Sequence, residues 1–196
     1  GRETNSQLCE LCGAATEQDT PIMIYWCNDC KTPIIKSANR IDKSICPLCG
    51  KETAYLCADL RPVFPEERLL LEILTAKPFE YINKTVWAAD NRYYIDGESK
   101  IIPISVFKKR FTEQIAYMIE KYKEKNSYDF FNQAMGNFIK ANTERLYYIL
   151  NEATEFIRNT ARAYPNENIV ISFSGGKDST VTADLTVRAL SNPNIV

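Results

Sequence analysis

The sequence predicts a multidomain chain in which small α+β modules precede the start of a parallel α/β domain. Three observations predict this fold class. Cysteine pairs cluster in the first third of the chain, aromatic and β-branched runs with turn residues follow, and amphipathic helices then lead into a strand, a Gly-Gly turn and a helix. We expect four parts, with boundaries 1–60, 61–106, 107–164 and 165–196.

The composition is typical of a globular protein. Hydrophobic residues make up 45% and charged residues 25% of the 196 residues. The net charge of −1 gives no overall attraction to nucleic acid or to an anionic membrane. No apolar stretch approaches the ~20 residues of a membrane span, and the polar N-terminus does not match a signal peptide. We therefore expect a cytoplasmic protein without a membrane partner.

The cysteines predict a metal site in the first part. Three Cys-x2-Cys pairs are present, namely Cys9/Cys12, Cys27/Cys30 and Cys46/Cys49, and Cys57 is the seventh cysteine. Two such turns can place four thiolates around one ion at ~2.3 Å. The sequence has no histidine, so histidine is excluded both as a metal ligand and as a general base. We expect Cys27, Cys30, Cys46 and Cys49 to bind one structural Zn²⁺, since four thiolates leave no open coordination position.

The remaining cysteines leave alternatives open. Cys9, Cys12 and Cys57 form a candidate second site that lacks a fourth thiolate. An iron–sulfur cluster on three cysteines is one alternative for this set, and reduced thiols without a metal are another. Reduced thiolates fit the cytoplasmic localisation.

The middle of the chain predicts a small α+β module. Two prolines within residues 61–65 mark a boundary, and residues 66–74 follow as a short helix that ends before Pro78. Aromatic and β-branched runs predict three strands, at 86–89, 92–95 and 100–104. The dipeptides Asp90-Asn91 and Asp96-Gly97 are the expected turns.

Two helices are predicted next. The first covers 106–125 and the second covers 128–163, with a kink or a split expected near Gly136 or Asn142. The second helix carries an apolar stripe from Phe131 through Ile157, which we interpret as core packing.

A phosphate-binding loop is predicted near the end of the chain. An apolar strand over 169–173 leads into a Gly-rich turn, followed by a helix over 180–190 and the start of a second strand at 194–196. The turn consists of Ser174, Gly175, Gly176, Lys177, Asp178 and Ser179. Backbone N–H groups at such a turn, together with the helix dipole, bind phosphate. The spacing matches neither the Walker A nor the dinucleotide-binding pattern.

These six residues resemble the Ser-Gly-Gly-x-Asp-Ser signature of the PP-loop ATP pyrophosphatases, which cleave ATP between the α and β phosphates. Residues 172–181 are most similar to the phosphoadenosine phosphosulfate (PAPS) reductase branch, which also includes the ATPases of DNA phosphorothioation. Residues 25–35, 46–50 and 59–67 are similar to the N-terminal zinc ribbon of its archaeal-type members. In those members a PUA-like module, a class that often contacts RNA, occupies the position of residues 61–106.

The resemblance implies a function and roles for the loop residues. It implies an adenine-nucleotide alpha-hydrolase-like domain that binds ATP with Mg²⁺, or a PAPS-like nucleotide, for adenylylation-linked sulfur transfer or sulfonucleotide reduction. Gly175 and Gly176 would hold pyrophosphate through their backbone, and Ser174 and Ser179 would donate hydrogen bonds. The candidate catalytic residues are Lys177, which would neutralise charge, and Asp178, which would orient the loop or hold Mg²⁺.

A rival interpretation keeps the chain free of catalysis. In it the zinc ribbon and the α+β module form an interaction module that recruits nucleic acid or a sulfur donor protein.

An open parallel sheet usually needs about five strands. We therefore expect the chain to be the front portion of a longer enzyme, or another chain to supply the missing strands, and we expect this chain to be inactive alone.

Overall fold

The computed structural model describes residues 22–37, 44–89, 92–100, 112–165, 168–190 and 194–195. The chain divides into two compact units, Gly1–Asn142 and Thr143–Val196, here called unit 1 and unit 2. The predicted turn at Asp90-Asn91 and most of the strand predicted at 100–104 lie outside the described residues. The four-part division made from the sequence stays a prediction.

The described part of unit 1 starts with a three-stranded antiparallel sheet, here called the ribbon sheet. Its strands are β1 (Ile22–Cys27), β2 (Thr32–Ser37) and β3 (Ala54–Cys57), in the order β2-β1-β3. Ile24 and Trp26 of β1 are buried, and residues two apart in a strand lie on the same face. Strand β2 lies at one edge of this sheet, because among the described strands it pairs only with β1.

A second antiparallel sheet with one helix forms the α+β module. Its strands are β4 (Arg61–Pro62), β5 (Val86–Ala89), β6 (Arg92–Ile95) and β7 (Glu98–Lys100), in chain order across the sheet. Helix α1 (Pro65–Leu74) starts at a proline, which suits the first helical position. The predicted helix and the predicted strands at 86–89 and 92–95 are confirmed, whereas the PUA-like assignment stays a prediction.

The two sheets share a hydrophobic core. Trp26 of the ribbon sheet packs in one buried cluster with Trp87 and Tyr94 of the second sheet. The turn at Asp96-Gly97 is confirmed, with positive φ angles of 50° and 86°. A Cβ at Gly97 would overlap the Trp26 indole ring, so only glycine allows this close approach.

The described residues of unit 1 also include two helices after the second sheet. They are α2 (Thr112–Tyr122), continued by a 3₁₀ turn at Lys123–Lys125, and α3 (Asp129–Ala141). The start of the helix predicted over 106–125 lies outside the described residues. Phe138 of α3 packs on Trp87 with ring centroids 5.2 Å apart, which places α3 against the core.

Unit 2 is a helix followed by a β-α-β arrangement. Its elements are α4 (Thr143–Ala161), β8 (Val170–Ile171), α5 (Lys177–Ala189) and β9 (Asn194–Ile195). Strands β8 and β9 pair in parallel, with Val170 opposite Asn194. Within the described ranges, no helix combines the length and apolar character that crossing a bilayer requires.

The helix predicted over 128–163 is split at Asn142, one of the two positions where a kink or a split is expected, while Gly136 lies inside α3 without breaking it. The structure corrects two other expectations. The strand predicted over 169–173 is limited to Val170–Ile171. The apolar stripe packs in the core in α3 but not throughout α4, where Phe156 is 68% exposed.

Candidate metal centre and phosphate-binding loop

The first cysteine pair lies on the turn that joins β1 to β2, here called the first knuckle. Cys27 is the last residue of β1, and β2 begins at Thr32. The backbone N–H of Cys30 donates to Cys27 Sγ at 3.4 Å. Lys31, directly after the second cysteine, has a φ of 50°. The chain therefore reverses with both thiols on the inside of the turn.

The second cysteine pair lies on an equivalent turn, here called the second knuckle. Cys46 N–H donates to Lys51 O, and Gly50 N–H donates to Cys46 O, both at 2.9 Å. Gly50, directly after Cys49, has a φ of 72°. Gly50 thus occupies the position that Lys31 occupies in the first knuckle, and both require a left-handed backbone.

The two knuckles bring four thiols together. The sulfur atoms of Cys27, Cys30, Cys46 and Cys49 all lie within 4.8 Å of one another. Cys27 Sγ and Cys49 Sγ are 3.6 Å apart. Thiolates at the corners of a tetrahedron around zinc, each ~2.3 Å from the ion, are about 3.8 Å apart, whereas a disulfide needs ~2.05 Å. The arrangement fits one tetrahedral metal ion and not a disulfide.

The environment of the thiols favours an ion over bare thiolates. Cys27 and Cys46 are fully buried. Burial raises the pKa of Cys27 and of Cys30, because desolvation penalises the negative thiolate. At the exposed Cys49 the pKa is lowered, chiefly by the backbone N–H of Lys51. A bound cation would supply the positive charge that buried thiolates need.

The candidate second site is not assembled within the described residues. Cys57 is buried in the core cluster with Ile24 and Trp26. Cys9 and Cys12 lie outside the described residues. A site on these three cysteines stays a prediction.

The phosphate-binding loop follows the carboxyl end of β8. Gly175 has a φ of 74°, and Gly176 is the extended N-cap residue of α5. Residues 172–178 are all exposed. The helix begins earlier than the predicted start at Thr180, because Lys177, Asp178 and Ser179 already form its first turn. A Gly-Gly pair is typical of a turn, and this pattern does not indicate that its second glycine also caps a helix.

The start of α5 presents unpaired backbone donors to solvent. The first intrahelical bond of α5 runs from Thr180 N–H to Gly176 O at 3.0 Å, so the N–H groups of residues 176–179 have no acceptor in the helix. Ser174 Oγ and Ser179 Oγ lie 3.2 Å apart across the loop. The six predicted residues thus lie together on one exposed loop and helix end, which suits an anion such as phosphate.

Sequence reasoning missed two contributors to the metal centre. Lys31 adopts the left-handed backbone without being a glycine, and the N–H of Lys51 faces the Cys49 thiol. The side chain of Lys51 also pairs with Asp29 across the two knuckles. The repeated spacing of the two cysteine pairs was the available signal, because equivalent knuckles need equivalent backbones.

Comparison with known protein families gives a match in the last part of the chain. The family model of NAD synthase matches residues 149–196, which lie within unit 2 and include the whole loop. NAD synthase is a PP-loop family, so the match supports an adenine-nucleotide-binding domain of that superfamily. It does not single out the PAPS reductase branch. No curated protein and no solved structure matches the chain.

Proposed function

We propose that the protein carrying this chain binds ATP at residues 174–179 and cleaves it between the α and β phosphates. The observation that carries the proposal is the open N-terminus of α5 at the carboxyl end of a parallel strand. Ligands of open α/β sheets bind at the carboxyl ends of their strands. The match of the same segment to a PP-loop family supports an adenine nucleotide as the ligand.

Each loop residue has a proposed role. The backbone of Gly175 and Gly176 holds the β and γ phosphates that leave as pyrophosphate, and the hydroxyls of Ser174 and Ser179 donate to them. Lys177, in the first turn of α5, neutralises the charge that grows as the α–β bond breaks. Asp178 orients the loop or contributes an oxygen ligand to Mg²⁺.

The proposed acceptor of the adenylyl group follows from the sequence resemblance alone. In the PAPS reductase branch, the adenylylated oxygen would be replaced by sulfur from a donor protein, or a sulfonucleotide would be reduced. The intact Gly-Gly-Lys-Asp favours ATP cleavage over reduction. The matched NAD synthase family is named for a different product, so the match does not support a particular acceptor.

Zinc at the four cysteines has a proposed structural role. Four thiolates complete the coordination of the ion, which leaves no position for a substrate. Metal binding stabilises such small modules by about 10–16 kcal/mol.

The experiment that tests the proposal follows the products of ATP labelled at the α phosphate. The protein carrying this chain should release pyrophosphate and leave the label on AMP or on an adenylylated acceptor. Isothermal titration of the chain with ATP and Mg²⁺ tests binding separately. Release of inorganic phosphate with labelled ADP would contradict the proposed cleavage position, and the absence of any ATP binding would favour the rival interaction module.

A further inference from the structure

Unit 1 contains a polar cleft of about 480 Å³ that the proposed ATP site does not use. The first knuckle, the segment between α1 and β5, and the turn between β6 and β7 border it. Its cations come from the first knuckle, from the segment between α1 and β5, and from strand β7. They are Lys31, Lys77, Lys84 and Lys100.

The acidic groups of the cleft are already engaged. Glu80 pairs with Lys77 at 3.1 Å, and Glu98 pairs with Lys100 at 3.5 Å. Asp96 accepts hydrogen bonds from the backbone N–H and the hydroxyl of Thr85. Among the described residues, no carboxylate lies within ion-pair distance of Lys31 or Lys84. These two cations are therefore available to an anionic ligand.

Buried contacts fix the segments that carry the cations. The carboxylate of Glu72, which is fully buried, accepts from the backbone N–H of Phe79 at 3.0 Å and of Tyr81 at 2.7 Å. The Asp96-Gly97 turn is held through Thr85 and by the close approach of Gly97 to Trp26. The cleft is therefore formed before any ligand binds, which reduces the entropic cost of binding.

Lys31 has a backbone that favours glycine. Its φ of 50° matches the position of Gly50 in the second knuckle, where no side chain is present. A long side chain in the left-handed region is strained, and such strain concentrates at functional positions. A cation at this point of the cleft accounts for lysine in place of glycine.

An aromatic ring accompanies the available cations. Tyr81 lines the cleft and is half-buried, and Lys84 Nζ lies 5.7 Å from its ring centroid. Grooves that bind single-stranded nucleic acids combine spaced cations with aromatic rings on which bases stack. A triphosphate instead needs its donors concentrated at one point.

We propose that this cleft binds single-stranded nucleic acid, with Lys31 and Lys84 contacting phosphates and Tyr81 stacking on a base. The proposal does not depend on the ATP site, because all of its residues belong to unit 1.

The test is fluorescence anisotropy with a dye-labelled oligouridylate of about twelve nucleotides. The variant Lys31→Glu/Lys84→Glu removes both available cations. The matched control is Lys121→Glu/Lys125→Glu, which has the same net charge, lies outside the cleft, and also removes a lysine near a tyrosine ring. Metal content and circular dichroism of both variants verify folding.

The cleft variant should bind the oligonucleotide at least about tenfold more weakly than the control. For the cleft variant, the slope of log affinity against log salt concentration should be shallower by about 1.4, since each phosphate contact on a single strand contributes ~0.7 to this slope. Tyr81→Leu should weaken binding without changing that slope. Equal affinities of the cleft and control variants, or no binding by the unmodified chain at low salt, would overturn the proposal. Loss of polyglutamate binding with unchanged oligonucleotide binding would also overturn it and assign the cleft to an acidic protein.

Discussion

The side-chain amide of Asn142 pairs with the backbone of Ile35 at the edge of the ribbon sheet. Asn142 Oδ1 accepts from the Ile35 N–H at 2.7 Å. Its Nδ2 donates to Pro33 O at 2.9 Å and to Phe138 O at 2.8 Å. One buried side chain thus replaces a neighbouring strand for β2 and also binds a carbonyl in the last turn of α3. This pairing accounts for the end of α3 at this residue.

Replacing Asn142 by alanine should lower the free energy of unfolding by about 3 kcal/mol. Three hydrogen bonds are lost, and buried backbone groups of β2 are left without partners, each at a cost of about 1–3 kcal/mol. Asn142→Asp should be at least as damaging, because a carboxylate oxygen would then face two carbonyls. Urea denaturation of the metal-loaded protein measures both. Asn132→Ala, at an exposed position of the same helix, is the control, and equal losses for Asn132 and Asn142 would contradict the assigned role.

The metal centre should contain about one zinc ion per chain. A strong chelator, or Cys46→Ser, should unfold the two knuckles and abolish the metal while the helices persist. Elemental analysis and far-ultraviolet circular dichroism measure the two effects. Cys57→Ala should retain the zinc, because Cys57 lies in the core cluster and outside the four-thiol group. Protein without zinc, or with a brown iron–sulfur absorbance, would be inconsistent with this assignment.

Substitutions at the equivalent positions Lys31 and Gly50 should have different effects on stability. Lys31→Gly should leave stability unchanged or raise it by up to about 1 kcal/mol, because glycine relieves the positive φ. Gly50→Ala should lower it by about 1 kcal/mol. A Cβ at Gly50 meets no atom within 4 Å, so backbone strain alone would cause the loss. Thermal unfolding of zinc-saturated variants compares them, and a loss on Lys31→Gly would contradict the strain at Lys31.

The sequence predicts features that depend on short spacings. The four clustered thiols follow from two local Cys-x2-Cys turns, and the strands at 86–89 and 92–95 follow from their residue types. Asn142 is different, because its partner Ile35 is 107 residues away. A polar residue inside a helical pattern looks like a surface residue until the edge of β2 is placed beside it.

The limits of periodicity are visible in the helices. The apolar stripe from Phe131 through Ile157 lies along one side of the predicted helix, yet its first part packs on Trp87 and Phe156 is exposed. Periodicity shows which residues share a face but not which face is covered. The start of α5 was misplaced for a related reason, since Gly176 is both part of a turn and a helix cap.

The ion pair of Arg61 and Glu67 should make stability depend on acid pH. Arg61 Nη1 and Nη2 each donate to the Glu67 carboxylate at 2.7 Å, and the Tyr93 hydroxyl donates to it at 3.0 Å. The hydrogen bonds from Arg61 lower the pKa of Glu67. The contribution is therefore present above the unfolded pKa of about 4.3 and is lost as the pH falls through the folded value.

Replacement of Glu67 by glutamine should remove this part of the pH dependence. The expected loss at neutral pH is about 1 kcal/mol, since the pair is partly exposed. Urea unfolding between neutral pH and pH ~3 measures the difference. Glu113→Gln, on an exposed face of α2, is the control. A Glu67 variant with the same pH profile as the unmodified protein would rule out a lowered pKa.

The loop glycines and Lys177 should separate folding, binding and turnover. Gly175 has a φ of 74°, so Gly175→Ala should strain the loop itself. A Cβ at Gly176 meets only Ser174 Oγ, at 3.5 Å, which is an ordinary contact. Gly176→Val should therefore fold normally yet lose ATP binding, because its side chain fills the space where a phosphate approaches the backbone.

Lys177→Ala should have the opposite effect to Gly176→Val in the protein carrying this chain. Its charge stabilises the departing pyrophosphate more than the bound ground state. Turnover should fall by roughly 10²–10³ while nucleotide affinity changes much less. Single-turnover kinetics with titration calorimetry measure the two quantities. Lys140→Ala, on an exposed position of α3, should change neither. Unchanged turnover in Lys177→Ala would remove Lys177 from the reaction, and normal ATP affinity in Gly176→Val would place the phosphates elsewhere.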